Sequence, residues 1–98
     1  WLPGVVTRLA PADPALKIPH MGWNAVSPAN DSDVAPGSAY FVHSYRFDPD
    51  DARDVRATSD HGGAFPCVVA RGNITGVQFH PEKSQRYGLA FLTRWLAA

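Results

Sequence analysis

The sequence predicts an α/β fold in which several short strands lead into one C-terminal helix. Three observations predict it. Short β-rich or apolar runs recur at residues 5–9, 39–42, 65–70 and 74–79. Nine prolines and eight glycines in 98 residues punctuate them. From about Ser84 onward the apolar residues change to helical spacing, and a helix closing a strand-rich segment suits layered α/β packing.

The elements follow in order. Val5-Val6-Thr7-Arg8-Leu9 is a β-rich run stopped by Pro11 and Pro14. Residues 18–26 mix turn and strand signals. Residues 27–38 read as a loop, holding Pro28, Asn30, Asp31, Asp33, Pro36 and Gly37. Ala39-Tyr40-Phe41-Val42 is continuously apolar, which suits a strand buried on both faces. Residues 47–53 are acidic and turn-rich. Residues 55–59 form a modest strand, and Gly62-Gly63 a turn. Residues 65–70 and 74–79, joined by Arg71-Gly72-Asn73, read as a hairpin. Tyr87, Phe91, Leu92, Trp95 and Leu96 then recur at helical spacing, with Ser84 as N-cap and Arg94 favouring the C-terminal end. One helix covers one face of a sheet, so apolar sheet surface should be left exposed.

Composition narrows the function classes. Nine Lys plus Arg balance nine Asp plus Glu, and zero net charge without a basic cluster argues against nucleic acid. No apolar run approaches the roughly 20 residues of a membrane span. The single Cys67 excludes an internal disulfide, so a reducing, cytoplasmic setting is expected. The length allows one domain, and a chain opening at Trp1 suggests a piece of a longer protein.

The chemistry concentrates in Gln78-Phe79-His80-Pro81-Glu82-Lys83-Ser84, between a strand and the helix. The carboxyl end of a strand is where α/β proteins place functional groups. Glu82 is the only glutamate among nine acids, and it stands two residues after His80. Pro81 between them restricts the backbone of both positions. A carboxylate beside a histidine can hold one ring nitrogen and leave the other as a base. By spacing alone a solvated loop histidine would look the same. Cys67, within Phe65-Pro66-Cys67-Val68-Val69, lacks the glycines of a sharp elbow and reads as a core thiol, not a nucleophile. No metal-ligand spacing occurs, and no cofactor is implied.

The heptapeptide at 78–84 resembles the C-terminal triad motif of the class I glutamine amidotransferases. Ile18-Pro19-His20-Met21-Gly22-Trp23-Asn24, Tyr40-Phe41-Val42-His43-Ser44-Tyr45 and Gly72-Asn73-Ile74-Thr75-Gly76-Val77 extend the resemblance in order. They narrow it to the glutaminase subunits of imidazole glycerol phosphate synthases, in histidine biosynthesis. The resemblance spans essentially all 98 residues. It implies the C-terminal half of a three-layer amidotransferase domain, with residues 1–98 as that part. It implies that His80 activates a cysteine thiol, Glu82 orients His80, and Ser44 and Tyr45 hold the amino-acid end of glutamine. Ammonia would pass to a docked (β/α)₈-barrel cyclase, with Met21, Trp23, Asn24 and Lys83 at the docking surface. His20 and His43 take structural roles, and His61 none.

One departure is large. The family's glycine-flanked nucleophilic cysteine and its oxyanion segment are expected upstream of Trp1, so these 98 residues alone should be inactive. Two other readings stand beside the first: a non-catalytic cyclase-binding module, and a class I amidotransferase of another pathway. The Trp23-Asn24 and His43-Ser44-Tyr45 segments argue against the latter.

Overall fold

A computed structural model of the chain describes residues 2–13 and 15–97; Pro14, expected to help stop the first strand, lies outside the described residues, as does Trp1. The strands are β1 (Gly4–Arg8), β2 (His20–Pro28), β3 (Gly37–His43), β4 (Tyr45–Pro49), β5 (Val55–Asp60), β6 (Ala64–Arg71) and β7 (Ile74–Val77), and the helix is α1 (Gln85–Ala97). Two 3-10 turns, Ala52–Asp54 and Pro81–Lys83, complete the order. Strands followed by one helix, as expected, make a mixed α/β fold.

The sheets are antiparallel throughout the described pairings. A two-stranded ribbon pairs β1 with β4, and a five-stranded sheet runs β3-β2-β5-β6-β7. β2 joins the two halves of the larger sheet. It pairs with β3 from His20 to Val26, then with β5 through Ser27 and Pro28. The β6–β7 hairpin turns at Gly72, whose φ of 59° favours a residue without Cβ.

Three expectations need correction. The run at 39–42 is not buried on both faces: Ala39 and Phe41 are buried while Tyr40 and Val42 are half-buried. This antiparallel sheet packs one face on the core and turns the other toward solvent, and this gives the alternation. The stretch at 47–53, read as turn, opens inside a strand, because residues 45–49 form β4. Arg46 and Asp48 neutralise each other through two hydrogen bonds, 3.0 and 2.6 Å, within the strand. The loop is shorter than expected, because β2 continues to Pro28 and β3 begins at Gly37.

The core gathers Phe41, Phe65, Val68, Cys67, Phe79, Leu9, Val26, Ala39 and Ala57. Phe41 meets Phe65 and Phe79 edge-on at 5.8 and 6.0 Å, a favoured geometry for aromatic quadrupoles. Tyr87 and Phe91 bring α1 onto Phe79, at 5.8 and 5.3 Å. The Tyr87 hydroxyl donates to the Ala35 carbonyl, and Arg94 to that of Asp33, so the loop before β3 is tied to the helix. Apolar sheet surface remains uncovered, as expected, at Val5 and Val6 on β1; Leu89, Trp95 and Leu96 on α1 are exposed as well.

Candidate functional site

His80 is held by its backbone. Phe79, buried in the core, ends the run from β7. The His80 N–H then donates to the Tyr40 carbonyl at 2.9 Å, which pins the residue to β3. Its own carbonyl accepts from the Ser84 hydroxyl at 2.7 Å and from the Lys83 N–H at 3.1 Å, closing the Pro81–Lys83 turn. That turn lifts Glu82 back over the imidazole, and His80 Nδ1 lies 3.0 Å from Glu82 Oε2. Glu82's own backbone N–H, then the imidazole, hold its carboxyl below the usual range. An ionised carboxylate only accepts, so Nδ1 carries the hydrogen and Nε2 keeps its lone pair. The His80 side chain is 39 % exposed, so the imidazole is partly open to solvent. The arrangement can take a proton from a thiol and return it to a leaving amine.

Ser84 corrects an expectation. Its hydroxyl does not cap the helix: it donates to the His80 carbonyl and accepts the Tyr40 N–H at 2.9 Å, fully buried. Only the Ser84 carbonyl serves the helix, accepting from Gly88 N–H. Gln85 follows with φ 51°, a left-handed conformation that redirects the chain into α1 at a cost of about 1 kcal/mol. Gly88, the buried residue of α1, lies against the backbone of Pro81.

The exposed side of the β2–β3 ladder carries a second group. Met21 and Trp23 are 63 % and 49 % exposed. Trp23 stands edge-on to its cross-strand partner Tyr40 at 5.8 Å, and Lys83 Nζ lies 5.9 Å from the Tyr40 ring centre. Tyr40 was missed by the sequence reading; its i, i+2 relation to Val42 in β3 was the available signal. Asn24 is not on this face. Strand alternation turns it inward with His20, and its amide is engaged by His20 Nε2 at 3.1 Å and the Asp60 carbonyl at 2.7 Å.

Ser44 and Tyr45 form the junction of β3 and β4. The Ser44 carbonyl accepts from Leu9 N–H, the Tyr45 carbonyl meets His43 Nδ1 at 2.9 Å, and the Tyr45 side chain is exposed. Buried His20 is pushed down to about 4, by burial first and then by repulsion from His61 and His43. Burial also lowers His43. The unfolded chain therefore takes these protons first. Stability is fully present above pH 6.5 and is lost as pH falls toward 4, by about 3 kcal/mol for His20. We expect a Tm that is flat from pH 8 to 7 and falls between pH 6.5 and 4; a flat profile across that lower window would contradict it.

Cys67 is a core thiol, as the sequence suggested. It is buried in β6, and burial pushes it up to about 12. Iodoacetamide should not label it in the folded protein. A thiol that stays protonated is no nucleophile. Among the described residues no group of three or more His, Cys, Asp or Glu could hold a metal ion. No helix among them is long and apolar enough to cross a membrane.

The family profile described as glutamine amidotransferase class-I matches residues 6–96. The imidazole glycerol phosphate synthase subunit HisH of Zymomonas mobilis is 54 % identical over 98 residues, covering 98 % of this chain and 46 % of the relative. The subunit of the same name from Azospirillum brasilense is 52 % identical, covering 98 % and 53 %, and that from Caulobacter vibrioides 48 %, covering 98 % and 47 %. The chain thus spans about half the length of the curated relatives it matches. A profile match running nearly end to end, on a chain whose histidine and glutamate meet at 3.0 Å, leads to one conclusion: the chain belongs to the class I glutamine amidotransferase family.

Proposed function

We propose that this chain supplies the acid–base half of a glutaminase site in an imidazole glycerol phosphate synthase, and that it is the C-terminal half of one amidotransferase domain. The single observation that carries the reading is the His80–Glu82 contact, on an imidazole partly open to solvent. In this reading His80 Nε2 accepts the proton of a cysteine thiol from the half of the domain outside these residues. The thiolate attacks the carboxamide carbon of glutamine. His80 then gives the proton to the departing nitrogen as the C–N bond breaks, releasing ammonia and leaving a thioester. Water, deprotonated by His80, attacks the thioester to release glutamate and the thiolate, which takes the proton back. Glu82 keeps the imidazole in the required tautomer and stabilises its charged form. Ser44 and Tyr45 hold the amino-acid end of glutamine, and the protein works in the cytoplasm.

Met21, Trp23 and Lys83, now joined by Tyr40, form the docking surface for a (β/α)₈-barrel cyclase that receives the ammonia. Asn24, turned inward, supports that surface from behind. The full-length protein with its cyclase should form glutamate from glutamine; no glutamate under those conditions sinks the reading. Exposed Trp23, edge-on to half-buried Tyr40, favours a second reading, a cyclase-binding module without catalysis. Trp23→Ala should weaken docking at least tenfold, as expected for an aromatic anchor, while His80→Ala should leave docking unchanged. Docking without hydrolysis by the wild-type protein would establish the module reading instead.

A further inference from the structure

A run of hydrogen bonds crosses the interior beneath the Ser44–Tyr45 junction. Asn24 Nδ2 meets His20 Nε2 at 3.1 Å, His20 Nδ1 meets His43 Nε2 at 2.9 Å, and His43 Nδ1 meets the Tyr45 carbonyl at 2.9 Å. Both histidines are buried. The direction of every bond is decided at the ends. Asn24 Oδ1 accepts the Ala25 N–H at 2.8 Å, and Asn24 Nδ2 donates to the Asp60 carbonyl, so the amide orientation is set. Its N–H then donates to His20 Nε2, which must be a lone pair. A neutral imidazole with Nε2 bare carries its hydrogen on Nδ1, and that hydrogen reaches His43 Nε2. The same step puts the His43 hydrogen on Nδ1, aimed at the Tyr45 carbonyl, which can only accept. Both ends demand the same direction, so both rings are neutral and share one tautomer.

Other uses of these rings fail on the same geometry. All four ring nitrogens are engaged, so neither ring offers a lone pair to a metal or a substrate proton. A proton relay would have to end at a carbonyl oxygen and a carboxamide, and neither passes a proton on. The rings are held from the sides as well. His20 is stacked on by Phe41 at 4.9 Å and by His61 at 4.3 Å, and His61 Nε2 is bonded to the Lys17 carbonyl. Phe65 lies 4.9 Å from His43. A chain locked in direction, packed in position and ending on one carbonyl has one thing to do: hold that carbonyl.

We propose that His43, aligned through His20 and Asn24, is a positioning residue that fixes the Tyr45 peptide and so shapes the Ser44–Tyr45 clasp for the amino-acid end of glutamine. This rests on the reading of that clasp given above. Positioning predicts an effect mainly on binding, because the ring nitrogens bond to Asn24, to each other and to the Tyr45 carbonyl, and not to His80.

The test uses the full-length protein with its cyclase. His43→Ala should raise the KM for glutamine about tenfold with kcat within about threefold, and His43→Asn, whose carboxamide N–H can stand in for Nδ1–H, should recover most of the loss. Equal KM for wild type and His43→Ala, or no recovery with Asn, overturns the proposal. If His43→Ala fails to fold, ¹⁵N spectra of the wild-type imidazoles still decide it. Both rings should show the Nδ1–H tautomer at pH 8, and an Nε2–H tautomer on either ring overturns the chain. Ser44→Ala separates the two levels. If it leaves KM unchanged, the clasp fails and the positioning role falls with it; if it raises KM while His43→Ala does not, only the positioning role fails.

Discussion

Replacing His80 by Ala in the full-length protein is expected to lower glutamine hydrolysis by at least about 10³-fold, read as glutamate formed per minute. On the proposed mechanism the size follows from the double duty of one ring, which would take the thiol proton and later deliver it to the leaving nitrogen. Groups that act as a unit lose nearly the whole acceleration when one is removed. Glu82→Gln should cost less, about 10²-fold. A carboxamide oxygen can still accept from His80 Nδ1 and preserve the tautomer, but it no longer stabilises the charged imidazolium. The Glu82 side chain is also 63 % exposed, so water and salt already screen its field. The ordering of the two losses is the informative result. If His80→Ala retained a tenth of the wild-type rate, the proton-shuttle role would be wrong. If Glu82→Gln matched His80→Ala, the carboxylate would be doing more than orienting.

Gly88→Ala should be the most damaging small change in the helix. Two effects oppose each other. Alanine in place of glycine favours a helix interior by about 1 kcal/mol. Against that, a Cβ at position 88 would overlap the Pro81 carbonyl oxygen, and would stand 2.7 Å from its carbonyl carbon and 3.0 Å from its Cα. Those are backbone atoms of the Pro81–Lys83 turn, which has no flexible end to move aside. Overpacking against such atoms costs about 3 kcal/mol, so the clash wins. The net loss should be about 2 kcal/mol in denaturant unfolding. The turn that gives way carries Glu82 and closes on His80, so activity should fall further than stability. An unchanged unfolding midpoint would show that α1 can slide off the turn without penalty.

Much of this architecture was legible beforehand, for identifiable reasons. The β6–β7 hairpin was readable because two apolar runs flank Arg71-Gly72-Asn73, and Gly72 takes the positive φ such a turn needs. The helix was readable because Tyr87 and Phe91, four apart, seat on Phe79. The contact of His80 and Glu82 was readable because Pro81 leaves a two-residue span few ways to bend. β4 was not legible: its charges resemble a turn until Arg46 and Asp48 are seen to pair within the strand. Ser84 was misread because a hydroxyl before a helix looks like a cap in one dimension, whereas folding brings Tyr40 N–H and the His80 carbonyl to it first.

The division between sequence and structure follows from range. The residues by themselves determined the local geometry: the turns, the helical period, the strand runs and the His-Pro-Glu motif, all governed by neighbours within about four positions. Only the tertiary structure decided what acts across the sheet. It put Asn24 on the inner face and Trp23 on the outer, stacked His61 on His20, aimed His43 at the Tyr45 carbonyl and set Gly88 under Pro81. Those contacts join residues brought together by strand register and helix packing. Register is set by the whole hydrophobic pattern of a sheet, and no short window of sequence contains it.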